Sequence, residues 1–157
     1  KYNLTHKNKK NKKIEFFLSI DSHHDHNNWK EYNFIKLTEK LLRIKKVKFI
    51  YINFSPNKIK RFRKILEKFV NNKKIIFTHK SRFNQIMNII NNCSIIIGNE
   101  SGPACLGASL GKNVFSIYDP KYTPNLSSKI INKKIKYFNS KKLKADYIIK
   151  KVVSSIN

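Results

Sequence analysis

The chain has 157 residues and carries 34 Lys and Arg against 9 Asp and Glu, a formal net charge of +25 with a pI near 10.2. That length suits one ordinary domain with a sizeable core, and Cys93 and Cys105, the only cysteines, exclude a disulfide framework or a four-thiolate metal site. No apolar run approaches the ~18 residues of a membrane span, and none has the layout of a secretory signal.

Residues 1–13 read as a solvated basic lead-in or interdomain linker, since His6 to Lys13 contains no apolar side chain. The chain opens on Lys1 rather than Met, so the expectation is the latter part of a longer polypeptide. Residues 14–157 then form the folded unit. Ile14 to Ile20 is the first predicted strand, and a polar loop, Asp21 to Trp29, follows at its carboxyl end. Phe34, Ile35, Leu37, Leu41 and Leu42 recur at helical spacing. Val47 to Ile52 is a second strand, and Ile59, Phe62, Ile65, Leu66 and Phe69 predict the next helix. Ile75 to Phe77 is a short third strand, and Phe83, Ile86, Met87, Ile89 and Ile90 share one helical face.

The most informative stretch runs from Cys93 to Pro120. Ile95, Ile96 and Ile97 form a β-branched run of the kind that parallel strands bury on both faces. Gly98 is expected to end that strand, and Asn99, Glu100, Ser101 and Gly102 to form a polar turn. Pro103 falls in the first turn of a helix, where its missing N–H has no partner to lose. Ala104, Leu106, Gly107, Ala108 and Leu110 are mostly small, which lets that helix lie close to a sheet, and Gly111 is a C-terminal stop. Val114 to Tyr118 is the next strand. Free amides and the positive helix end at Ser101 to Ala104 then make an anion-binding unit at the carboxyl ends of the strands. Capping alone calls for one polar residue, and this turn offers three in a row, Asn99, Glu100 and Ser101.

Beyond Asp119, read as a turn residue, Pro120 to Ser128 is a predicted loop, Ile135 to Phe138 a short strand and Leu143 to Val153 a closing helix. Strand and helix alternate with connections too long for hairpins, which calls for an α/β fold: a doubly wound, mostly parallel, Rossmann-like sheet.

The stretch G-N-E-S-G-P-A-C-L-G-A-S-L-G-K-N-V-F-S-I-Y, from Gly98 to Tyr118, resembles the nucleotide-sugar loop of the heptosyltransferase-like enzymes of glycosyltransferase family nine. Their usual pattern there is G-N-D-S-G-P-x-H-L-A-A-A-L-G-x-P-V-x-x-L-F-G. The resemblance to the second domain of such a GT-B enzyme spans roughly residues 14–156, and is motif-specific only from Ile95 to Pro120. It implies a donor-binding domain for a nucleotide diphosphate sugar, ADP-heptose-like, in an enzyme that transfers the sugar to lipopolysaccharide or another surface glycan. It implies no metal and no cofactor, a catalytic base in a first domain that faces this one, a glycan or lipid-linked acceptor, and a cytoplasmic location with peripheral association at the inner face of the membrane.

Carried over residue by residue, Asn99, Glu100, Ser101, Gly102, Pro103, Ala104 and Cys105 form the donor loop, with Glu100 in place of the commoner Asp and Cys105 in place of His. N-N-W-K-E-Y-N-F resembles the family's K-x-W-P-like motif through Trp29, Glu31 and Phe34, but Asn27 stands where a phosphate-binding Lys is usual. Lys30 or His26 is the expected substitute cation, while packing of the first helix is the simpler role for Trp29. Ser55-Pro56-Asn57 lies where relatives place an acid that holds the ribose, and Asn57 is a weaker substitute. His79, in Thr78-His79-Lys80-Ser81, lies in the segment that faces the nucleobase in relatives, with Ser81 expected to cap the next helix.

Three rival readings stand beside this one, among them a nucleotide-sugar epimerase or another two-domain enzyme of the same architecture, since fold alone does not fix chemistry. His23, His24 and His26 lack the i, i+4 spacing that puts two imidazoles on one helical face, so a metal site is not expected. The departures at Asn27, Asn57 and Cys105 support a non-catalytic glycosyltransferase relic. The net charge supports a basic nucleic-acid-binding α/β module. Against that module, only Arg43, Arg61, Arg63 and Arg82 are arginines, the residue suited to forked phosphate and base contacts.

Overall fold

The computed structural model describes residues 13–22, 29–118 and 134–156. Six strands form one sheet: β1 (Ile14–Ser19), β2 (Val47–Asn53), β3 (Ile75–Phe77), β4 (Ile95–Asn99), β5 (Asn113–Tyr118) and β6 (Ile135–Asn139). Every neighbouring pair is parallel, in the spatial order β3-β2-β1-β4-β5-β6. The winding therefore reverses between β1 and β4, and an open parallel sheet forms its ligand crevice at such a reversal, outside the carboxyl ends of the strands.

Helices cover both faces because the central strands are apolar at consecutive positions, so that both faces of the sheet need burial. Phe16 and Leu18 of β1, Ile95 and Ile97 of β4, and Phe115 and Ile117 of β5 enter one apolar cluster. There they meet α1 (Glu31–Leu42), α2 (Arg63–Phe69) and α5 (Ala145–Ile156). Phe17, Ile96 and Val114 enter the second cluster, against α3 (Phe83–Asn92) and α4 (Gly102–Ser109). Each fully buried side chain of this size contributes roughly 1.5–3 kcal/mol relative to exposure. Gly107 is what brings α4 close: a Cβ there would lie 2.9 Å from Ile96 Cδ1. No helix among the described residues is long and apolar enough to cross a membrane.

Four local expectations are corrected. β4 does not end at Gly98 but runs through Asn99, because pairing with Ser116 and Ile117 of β5 continues past the glycine. The second helix starts at Arg63, after a 3-10 turn at Pro56–Lys58, and Ile59 is left exposed at 38 %. Arg82 rather than Ser81 is the N-cap of α3, where Gln85 Oε1 accepts the Arg82 N–H at 2.8 Å. The last helix spans Ala145–Ile156. The loop predicted at Pro120 to Ser128, and Asp119 with it, lies outside the described residues.

Candidate functional site

The site is built where β1 and β4 run side by side. Ser19 pairs with Gly98, and a Cβ on Gly98 would fall 2.2 Å from the Ser19 carbonyl oxygen. Only glycine allows that approach. One residue on, Asn99 is buried, and its amide is used at both ends: Oδ1 accepts the Trp29 N–H at 2.8 Å, and Nδ2 donates to the Ile20 carbonyl at 2.9 Å. An aspartate could not make the second bond. The Glu100 N–H then donates to the Ile117 carbonyl at 2.8 Å, turning the chain over the end of β5.

Ser101 is the N-cap of α4, yet its side chain caps nothing. Its hydroxyl lies 2.9 Å from the Ser19 hydroxyl instead. α4 therefore opens with the amides of Gly102 and Ala104 as first-turn donors that have no partner within the helix, and Pro103 between them contributes none. No atom stands within 4 Å of where a Gly102 Cβ would be. The backbone is thus open to a ligand from the cleft side.

The facing wall comes from the ends of β1 and β2, which the Ser19–Asn53 pairing sets side by side. Asp21, buried, accepts from the Ser55 N–H at 3.1 Å and from the Ser55 hydroxyl, and pairs with Lys58 Nζ at 2.7 Å. The same ammonium donates to the Ser22 carbonyl at 3.0 Å. Asn53 Nδ2 donates to Thr78 Oγ1 at 3.0 Å, tying this wall to β3. Behind it the His79 ring stacks on Phe54 with centroids 4.8 Å apart and planes 8° apart. Burial, with the Lys80 charge second, holds the His79 imidazole below its ordinary pKa, and its Nδ1 is buried with no hydrogen-bond partner among the described residues.

Between the two walls lies a cleft of about 530 Å³, lined among others by Ser19, Asp21, Asn57, Lys58, Glu100 and Ser101. This is within the size range of small-ligand sites, about 300–1,000 Å³. Of the residues singled out from the sequence, Ser55, Asn57, Glu100, Ser101, Gly102 and Pro103 line it, and Asn99 sits beneath. The Ala104 side chain packs into the second apolar cluster. Cys105 is half-buried on α4, its N–H donated to the Ser101 carbonyl at 3.1 Å. Trp29 is buried, edge-on to Phe34 at 4.9 Å, and its Nε1–H donates to the Leu143 carbonyl at 2.9 Å, so its ring serves packing. Lys30 is exposed at the start of α1 and does not line the cleft. His79 stands behind Phe54, not among the lining residues. Asn27 and His26 lie outside the described residues.

Sequence reasoning missed Ser19 and the Asp21–Lys58 pair. The available signal was that Asp21 and Lys58 each follow a strand, β1 and β2, that is first and second in a βαβ unit and hence adjacent.

Residues 1–153 match the model of glycosyltransferase family 9 (heptosyltransferase). The chain belongs to that family. Comparison with curated proteins finds no match. Among solved structures, the fold resembles E. coli ADP-heptose lps heptosyltransferase II, at 12% identity and a TM-score of 0.77 over 92% of this chain and 47% of that one. It also resembles E. coli heptosyltransferase WaaC with ADP, at 15% identity and a TM-score of 0.71 over 94% of this chain and 46% of that one. A family 9 glycosyltransferase from Veillonella parvula matches at 15% identity and a TM-score of 0.76, over 92% and 46%. This family 9 chain thus spans about half the length of the solved structures it resembles. The neighbours are GT-B glycosyltransferases, and the sheet is the doubly wound, Rossmann-like one expected. Membership of family 9 displaces the reading as a basic nucleic-acid-binding module.

Proposed function

We propose that this chain is the donor-binding half of a heptosyltransferase-like enzyme. It takes a nucleotide diphosphate sugar in the cleft above β1 and β4, with the pyrophosphate at the start of α4. The observation that carries this reading is the open first turn at Ser101-Gly102-Pro103, which lines a cleft at the point where the sheet reverses.

The chemistry follows from where charge develops. Transfer of the sugar breaks its bond to the terminal phosphate oxygen and leaves a nucleoside diphosphate with one more negative charge on that oxygen, and the Gly102 and Ala104 amides, aligned with the helix dipole, meet that charge without reorganising. Each charge-assisted contact contributes on the order of 1.5–3 kcal/mol. Glu100, on the same rim, cannot favour a phosphate and is assigned to hydroxyls of the donor sugar. The acceptor is a lipopolysaccharide core or other surface glycan, and the base that activates its hydroxyl comes from a companion domain. The enzyme works in the cytoplasm, at the inner face of the membrane.

Calorimetric titration with ADP-, UDP- and GDP-sugars tests this directly. Saturable binding of at least one of them, competed by the matching nucleoside diphosphate, is expected; heat no greater than dilution for all three would end the proposal.

A further inference from the structure

We infer that Lys58, held in place by Asp21, is the side-chain cation that meets the donor's pyrophosphate in this protein. The inference rests on the donor-binding reading above and adds to it a residue outside the phosphate loop. Asn27 stands where a Lys is usual in the resembling motif, and Lys30, the nearby alternative, does not line the cleft. Among the described residues that line the cleft, Lys58 is the one cationic side chain, opposite Ser101, Gly102 and Pro103.

Its placement is constructed rather than incidental. The 3-10 turn Pro56–Lys58 brings the side chain inward, so that it is only 18% exposed. The Asp21 carboxylate, 7% exposed, and the Ser22 carbonyl fix the ammonium at 2.7 and 3.0 Å, and two hydrogen bonds from Ser55 fix the carboxylate in turn. An exposed lysine on the surface would lose side-chain freedom on meeting an anion. Here that ordering is complete before the ligand arrives. With Asp21 and Glu100 as its acids, the lining has more anionic than cationic side chains, so a doubly charged ligand is tolerated only where Lys58 and the amides of α4 act together.

The test is calorimetry with ADP and with adenosine, at roughly 0.15 M ionic strength so that distant lysines are screened. Lys58→Met is expected to weaken ADP binding by about tenfold to a hundredfold, to leave adenosine binding within about twofold, and to be partly rescued in Lys58→Arg. Removing Lys58 alone leaves a buried carboxylate without its counter-charge. The double variant Asp21→Asn/Lys58→Met removes both charges and keeps the fold testable, with the same loss expected for ADP. If wild type binds ADP and both Lys58→Met proteins match it, the Lys58 assignment is overturned and the donor-binding reading stands. If wild type binds neither ADP, UDP nor GDP, both fall together.

Discussion

The carbonyl oxygen of Ser19 occupies the space that a side chain on Gly98 would need, with only 2.2 Å between it and a Cβ built there. The two strands that frame the cleft are therefore locked at a separation that glycine alone permits, and both partners are backbone, so neither can rotate away. Gly98→Ala is expected to destabilise by more than about 2 kcal/mol, within the range of severe backbone and overpacking changes. Circular-dichroism melting checks it; a midpoint within about 2 °C of wild type, worth about 0.5–1 kcal/mol for a domain this size, would refute it.

Gly102 supplies the contrast. No atom lies within 4 Å of its would-be Cβ, so Gly102→Ala keeps stability within about 0.5 kcal/mol. The added methyl nonetheless stands at the mouth of the first turn of α4. Donor binding, measured by titration calorimetry, is expected to fall while the melting midpoint holds. Unchanged affinity in a folded Gly102→Ala protein would place the phosphate elsewhere.

Much of this is legible in the sequence because it is local. The phosphate loop is a strand, a turn and a helix contiguous in the chain, and glycine, proline and small residues each answer a constraint within a few positions. What escaped depends on distant partners. Asn99 reads as a loop residue until Trp29, 70 residues away, is seen donating to it, and the indole of Trp29 is committed by Leu143, 114 residues away. Asp21 and Lys58, 37 residues apart, meet only because β1 and β2 pair in one register. Ser81 looked like a cap because serine suits one; Arg82 took the position because Gln85 three residues on accepts its N–H.

The Ser101 hydroxyl bonds to Ser19 instead of capping α4, which separates its two roles experimentally. Ser101→Ala is expected to cost less than about 1 kcal/mol, the worth of one neutral hydrogen bond, and to weaken donor binding more than it weakens the fold. Denaturant unfolding alongside calorimetry checks both. A loss of stability with intact affinity would make Ser101 a structural residue only.

Burial pushes the Cys93 thiol up to about 12, with the Glu15 charge adding to it and Lys112 opposing. A thiol so protonated and enclosed is inert, since the thiolate is the nucleophile. Cys105, only half-buried, is expected to take up iodoacetamide first in the native protein at pH 8. Cys93 should label only in denaturant. Peptide mass mapping after a short pulse reads this out, and native labelling of Cys93 at an equal rate would contradict the packing of α3 against α4 and β1.

His79 makes stability depend on pH in a definite direction. Its folded pKa lies below the ordinary 6.5, chiefly through burial, so the unfolded chain takes up the proton more readily than the native one. The stabilisation is fully present above pH 6.5 and is lost as the pH falls through the folded value. In His79→Phe the ring that stacks on Phe54 remains, while both the titration and the unpartnered Nδ1 are gone. The wild-type melting midpoint should therefore fall more steeply than that of His79→Phe between pH 7 and pH 5, with the two curves parallel above pH 7. Curves parallel across the whole range would mean that the imidazole is as well solvated folded as unfolded, against its place behind Phe54.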